Sequence, residues 1–167
     1  NPSSKVILAN GGLVVRGVKN FNTIFSNLEF VDFPISATPD QDITKFPAIL
    51  SFQKCHFSYT KVALTLYVAP PAPIVDFIIN FVDSKISSNT DIPEAFLVAS
   101  NLTEVDLALT NSHFLGGVLL LAQSGGNIRN LDFENSVIST SVMTLFSPAT
   151  QPGVGMFNSL NITSGTQ

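Results

Sequence analysis

Two histidines, one cysteine and twelve acidic residues are the side chains of this 167-residue chain that could bind a metal or move a proton. His56 and His113 each stand four places after the anchor of a recurring apolar phrase, an outward slot, two copies apart. On the order of 10 Å of stacked backbone then separates them, which is long for two ligands of one metal. His56 directly follows Cys55, but neither histidine lies in a Cys- or Asp-rich stretch that would suggest a nucleophile–base pair, so both read as surface histidines. The single Cys55 excludes an intrachain disulfide and a multi-cysteine zinc site. It fills a small slot where other copies of the phrase place Gly or Ser, and reads as a packed thiol. Asn101-Leu102-Thr103 and Asn161-Ile162-Thr163 are glycosylation sequons, usable if the chain enters the secretory pathway. Asn161 lies between two inward residues and is expected to face outward. No catalytic set, cofactor site or metal site is expected, and no cofactor is implied.

The elements that must position these groups follow from composition and spacing. Hydrophobic residues make up 45% of the chain and charged residues only 12%, which argues against disorder. Eight basic against twelve acidic residues leave no basic surface for phosphate backbones, so a nucleic-acid partner is disfavoured. Fourteen Phe without a Trp suit an interior that offers no partner to a polar ring atom. The apolar stretch over residues 62–82 is interrupted by Pro70, Pro71, Pro73 and Asp76. The run Val118–Ala122 is far short of the roughly 20 residues that a membrane helix needs. No membrane span is therefore expected.

The phrase is apolar, any, apolar, any, polar, small, any, apolar. It reads Val6-x-Leu8-x-Asn10-Gly11-x-Leu13 and recurs with second apolar residues Phe30, Phe52, Phe81, Leu109, Phe133 and Ile162. The steps between these anchors are 22, 22, 29, 28, 24 and 29 residues. Alternation gives a strand with one buried face. The polar residue two places on ends it, since Asn, Asp and Ser suit a corner. A second strand is expected in residues 62–68, Ala95–Ala99, Val118–Ala122 and 141–146, with turn-rich loops at 70–73, 87–93, 123–127 and 147–155. Asn111 and Asn135 fill equivalent corners and are expected to form a short amide ladder. Loops of any length can leave a solenoid without disturbing its stack, which accounts for unequal steps under a constant phrase. The Leu-x-x-Leu-x-Leu pattern of leucine-rich repeats is absent, and a β-sandwich is the main rival. The spacing thus predicts an all-β, right-handed parallel β-helix of about seven rungs, a rod on the order of 30 Å long.

Asn130-Leu131-Asp132-Phe133-Glu134-Asn135-Ser136-Val137-Ile138-Ser139 and Leu107-Ala108-Leu109-Thr110-Asn111-Ser112-His113-Phe114 resemble the rung consensus of the pectin-lyase-like parallel β-helix superfamily. The resemblance covers nearly the whole chain and is specific for fold. That superfamily holds polysaccharide lyases and hydrolases, adhesins and large surface proteins without catalysis, among which fold cannot choose. Its polygalacturonases carry an Asn-Thr-Asp motif, and this chain has Asn89-Thr90-Asp91. The Asp-Asp pair, Gly-His-Gly and Arg-Ile-Lys that accompany that motif in the family are missing. Its pectate lyases use an Arg as base beside calcium held by acidic residues. Arg129, Asp83 and Asp106 match those residue types but assemble no six-oxygen cluster. Asp32 and Asp83 occupy corner slots, where a turn role is expected.

The sequence starts within a few residues of a rung and stops mid-phrase at Gln167, with no amphipathic helix or charged segment before Val6, so residues 1–167 are expected to be a single β-helix segment, open at both ends, of a longer rod. A complete set of rung residues beside an absent set of catalytic ones leads to the expectation of a structural or adhesive role at an extracellular or cell surface, and the resemblance includes a ciliary surface among such places. The expected partners are other chains of a surface assembly, or glycans. The alternative is a polysaccharide lyase or hydrolase.

Overall fold

The computed structural model describes residues 5–17, 22–39, 47–68, 75–89, 94–99, 103–115, 118–122, 127–139 and 159–163. The chain repeats a circuit of three strands. The first coil is β1 (Val6–Ala9), β2 (Leu13–Gly17) and β3 (Asn22–Ser26); the second is β4 (Leu28–Val31), β5 (Ile35–Pro39) and β6 (Ala48–Gln53). The third is β7 (His56–Tyr59), β8 (Leu64–Leu66) and β9 (Val75–Val82). The fourth is β10 (Lys85–Ser88), β11 (Ala95–Ala99) and β12 (Thr103–Thr110). Next come β13 (His113–Leu115), β14 (Val118–Ala122) and β15 (Asn127–Glu134), and then β16 (Val137–Ser139) and β17 (Ser159–Thr163). Corresponding strands stack into sheet A (β1-β4-β7-β10-β13-β16), sheet B (β2-β5-β8-β11-β14) and sheet C (β3-β6-β9-β12-β15-β17). Every pairing is parallel, so the fold is an all-β parallel solenoid.

The alternation that predicts strands is the alternation seen in burial. Both β9 and β12 bury every second residue along their whole length. The inward residues form vertical columns. Phe25, Phe52 and Phe81 stack nearly parallel along sheet C, with ring centroids 5.0 and 4.9 Å apart. Phe30 and Phe57 stack at 4.6 Å along sheet A and meet Phe52 edge-on. Offset and edge-to-face pairs of this kind are the favoured aromatic geometries. Sheet B supplies Ile35, Leu64 and Leu97, all fully buried, in register.

Corners are made by left-handed residues. Asn27, Lys54, Asp83, Asn111 and Asn135 follow sheet C with φ between 49° and 58°, while Asn10 and Asp32 follow sheet A at 57° and 45°. Asn and Asp tolerate this region best, because a short polar side chain bonds nearby backbone. Beside the first corner runs a column of small residues. The Cys55 amide donates to Ser84 Oγ at 3.0 Å, the Ser84 amide to Ser112 Oγ at 3.0 Å, and the Ser112 amide to Ser136 Oγ at 3.1 Å. Each serine hydroxyl in turn donates to a strand carbonyl. These bonds satisfy amides that the turn takes out of the ladder. The ladder expected between Asn111 and Asn135 therefore runs through the neighbouring serines. No side-chain bond joins the two asparagines among the described residues, and the Asn111 amide donates to the Glu134 carbonyl at 3.0 Å.

One further expectation is corrected. The seven copies of the phrase do not form one vertical stack. Leu8 and Phe30 pair in sheet A, whereas Phe52, Phe81, Leu109, Phe133 and Ile162 pair in sheet C. The residue beneath Phe52 is Phe25, and the residue above Phe30 is Phe57. The same phrase thus describes two different corners, A-to-B early in the chain and C-to-A later. Among the described residues, sheets A and C each stack six strands and sheet B five. The strand expected at 141–146 lies outside the described residues.

Candidate functional site

Sheet A carries an outward column with one residue per coil: Ile7, Glu29, His56, Lys85, His113 and Val137. His56 sits between an acid and a base in this column. Its Nδ1 lies 3.7 Å from Glu29 Oε1, and its Nε2 lies 3.3 Å from Ser87 Oγ, reached diagonally from the next coil. Ser87 Oγ is also placed to donate to the Phe57 carbonyl at 3.2 Å. Partial burial is the main reason that the His56 pKa falls below its ordinary value; Lys85 and Lys5 push the same way, and Glu29 opposes them. The imidazole is therefore neutral around pH 7. His113 is exposed in the same column, separated from His56 by Lys85, so the two histidines do not converge. Sequence reasoning placed both histidines on the surface but missed the contact of His56 with Ser87. The 29-residue step from Phe52 to Phe81 sets these coils side by side, but it does not give the diagonal from His56 to Ser87, 31 residues on.

Sheet C carries the second polar cluster. The β12–β15 register shifts between Val105 and Asp106, leaving Arg129 as the extra residue of a bulge. Bulges re-aim side chains. Here Arg129 grips Asp106 with Nε at 2.9 Å and a terminal nitrogen at 2.5 Å, and its other terminal nitrogen reaches Glu104 and Asp76 at 3.3 Å each. Asn130 Nδ2 adds a bond to Asp106 Oδ1 at 2.7 Å. The hydrogen bond to Asp106 is the first cause of a raised Arg129 pKa, which holds the guanidinium charged, the reverse of what a general base requires.

The other residues singled out by resemblance are not brought together. Asp83 makes a corner, and Asp106 pairs with Ile78 on the neighbouring coil, so five residues of strand, roughly 16 Å, separate the two positions along the strand direction, across the rod. Among the described residues no group of three or more His, Cys, Asp or Glu is placed to hold a metal. Asn89 donates its backbone amide to the Tyr59 carbonyl at 2.9 Å and its side-chain amide to Ser58 Oγ. Thr90 and Asp91 lie outside the described residues, as does Asn101. Asn161 lies on β17 in register with Asp132.

A groove of about 480 Å³ opens beside the A-to-B corner, lined by Asp32, Phe33, Tyr59, Thr60, Lys61 and Glu94 among others. Its carboxylates brace the loop between β7 and β8. Asp32 Oδ1 accepts from the Thr60 amide at 2.7 Å and its hydroxyl at 2.8 Å, and Glu94 Oε2 accepts from the Val62 amide at 3.1 Å. The turn role expected of Asp32 is what these bonds describe. Cys55 is buried, with its thiol pKa pushed up chiefly by that burial, as a packed thiol's is.

Comparison with known proteins found no matching family model, no matching curated protein and no matching solved structure.

Proposed function

We propose that this chain is a structural or adhesive rod of an extracellular or cell-surface assembly, related to the non-catalytic surface proteins of the pectin-lyase-like superfamily. One observation carries the reading: three parallel sheets stack over a filled interior, so each outward slot repeats as a column along the axis. Such columns suit contact with another elongated chain or a glycan, which are the partners proposed. The sequence resemblance supports the superfamily, and its large surface members make a ciliary surface one such location. Asn101 and Asn161 are the glycan attachment sites that go with that location.

The alternative of a uronan lyase draws no support from Arg129, whose guanidinium is engaged by three carboxylates. Incubating the full chain with pectin, alginate and related uronans tests the reading. Saturable binding to a glycan or partner chain without depolymerisation is expected, and appreciable cleavage would overturn it.

A further inference from the structure

We propose that Glu29, His56 and Ser87 form an acyl-transfer relay on the outer face of sheet A, with Ser87 as its nucleophile. This goes beyond the rod reading and does not depend on it. Three successive coils supply one member each: β4 carries Glu29, β7 carries His56 and β10 carries Ser87. The two imidazole nitrogens face different partners, Nε2 towards Ser87 Oγ at 3.3 Å and Nδ1 towards Glu29 Oε1 at 3.7 Å. That order of hydroxyl, imidazole and acid is what activates a serine. All three stand on paired strands rather than loops, which fixes their spacing.

The electrostatics agree with the geometry. His56 is held neutral by its partial burial and by Lys85 and Lys5, so Nε2 has a lone pair to accept a proton. Glu29, at ion-pair distance, stabilises the imidazolium once it forms. The Ser87 hydroxyl has one hydrogen and two acceptors in reach, the Phe57 carbonyl and His56 Nε2, and the reactive arrangement is the one directed at His56.

The substrate class is an unhindered carboxylic ester, since the face is a sheet surface open to bulky chains. Ser87 Oγ adds to the ester carbonyl carbon while its proton passes to Nε2. The oxyanion forms on the outward face that also carries Lys85, two residues earlier on β10. The ester C–O bond then breaks, and the leaving alcohol takes the proton from Nε2. Water, deprotonated by His56, attacks the acyl-Ser87; the acid is released and Ser87 recovers its proton.

The full chain, treated with a fluorophosphonate and mapped by mass spectrometry, should carry one adduct at Ser87. It should also release p-nitrophenol from p-nitrophenyl acetate. His56→Gln leaves Ser87 in place and should slow both reactions about 100-fold, the low end of general-base contributions. Glu29→Gln should slow them less. The labelling rate should fall with the protonation of His56, followed by its own NMR titration, and thermal melts confirm that each variant is folded. Absence of the Ser87 adduct, or labelling at an unchanged rate in folded His56→Gln, overturns the relay. Either result leaves the rod reading to its own glycan-binding and uronan tests.

Discussion

The corner residues show how single side chains set this backbone. Four of the five residues that turn sheet C into sheet A are Asn or Asp; the fifth is Lys54, at φ 54°. A long side chain in the left-handed region costs about 1–2 kcal/mol, and Asn less. Lys54→Asn should therefore raise stability by about 0.5–1 kcal/mol in denaturant melts. The serine column makes the opposite case. Ser84 is buried, and its hydroxyl accepts from the Cys55 amide while donating to a strand carbonyl. Ser84→Ala strands that buried amide and should cost about 1–3 kcal/mol. Cys55→Ser, which extends the column by one hydroxyl, should be tolerated far better. His56 links stability to pH. Its folded pKa lies below the ordinary 6.5, so the unfolded chain takes up its proton first as the medium is acidified. The stabilisation from neutral His56 is complete above pH 6.5 and is lost as pH falls through the folded value. Melts between pH 7 and 5 should show His56→Gln losing less stability than the parent.

Among elements, the aromatic columns join the coils. Phe52 is fully buried, stacked between Phe25 and Phe81 and met edge-on by Phe30 and Phe57. Phe52→Ala should cost about 3–5 kcal/mol, the usual range for removing a buried aromatic ring, measured by chemical denaturation. Strands, corners and inward residues were legible in the sequence because alternation and a left-handed Asn or Asp are local signals. Six of the seven left-handed positions belong to the phrase; the seventh, Asn27, escaped because Thr23 puts a polar residue in an inward slot. Losing that copy made Leu8, Phe30 and Phe52 look like one series. Assignment to sheets A and C depends on which distant segments pair, and a phrase shared by two corners cannot carry that information. The polar clusters were hidden because each joins side chains from different coils. Arg129 reaches Asp106 through a bulge, and His56 reaches Ser87 across 31 residues. Neither spacing has a signature within one coil.

At the scale of the whole molecule, three sheets share one core, and among the described residues strands β1, β2 and β3 each pair with one neighbour. Val6, Ile7, Val14 and Ile24 on these strands account for most of the exposed large apolar side chains among the described residues. Unpaired parallel edges of this kind readily add further strands. The lateral faces differ from this end in carrying polar columns, and it is to those faces that the adhesive reading and the relay are assigned.

The register on which all of this rests is open to a direct cross-linking measurement. Ile24 and Ser51 are neighbours across β3 and β6, about 4.8 Å apart in backbone, within disulfide reach. In a Cys55→Ser background, the pair Ile24→Cys and Ser51→Cys should close a disulfide nearly quantitatively under mild oxidation. The pair Glu29→Cys and Ser51→Cys, which a single stack of the phrase would make neighbours, should stay reduced. The reverse outcome would contradict the three-sheet solenoid described here, and with it the meeting of Glu29, His56 and Ser87.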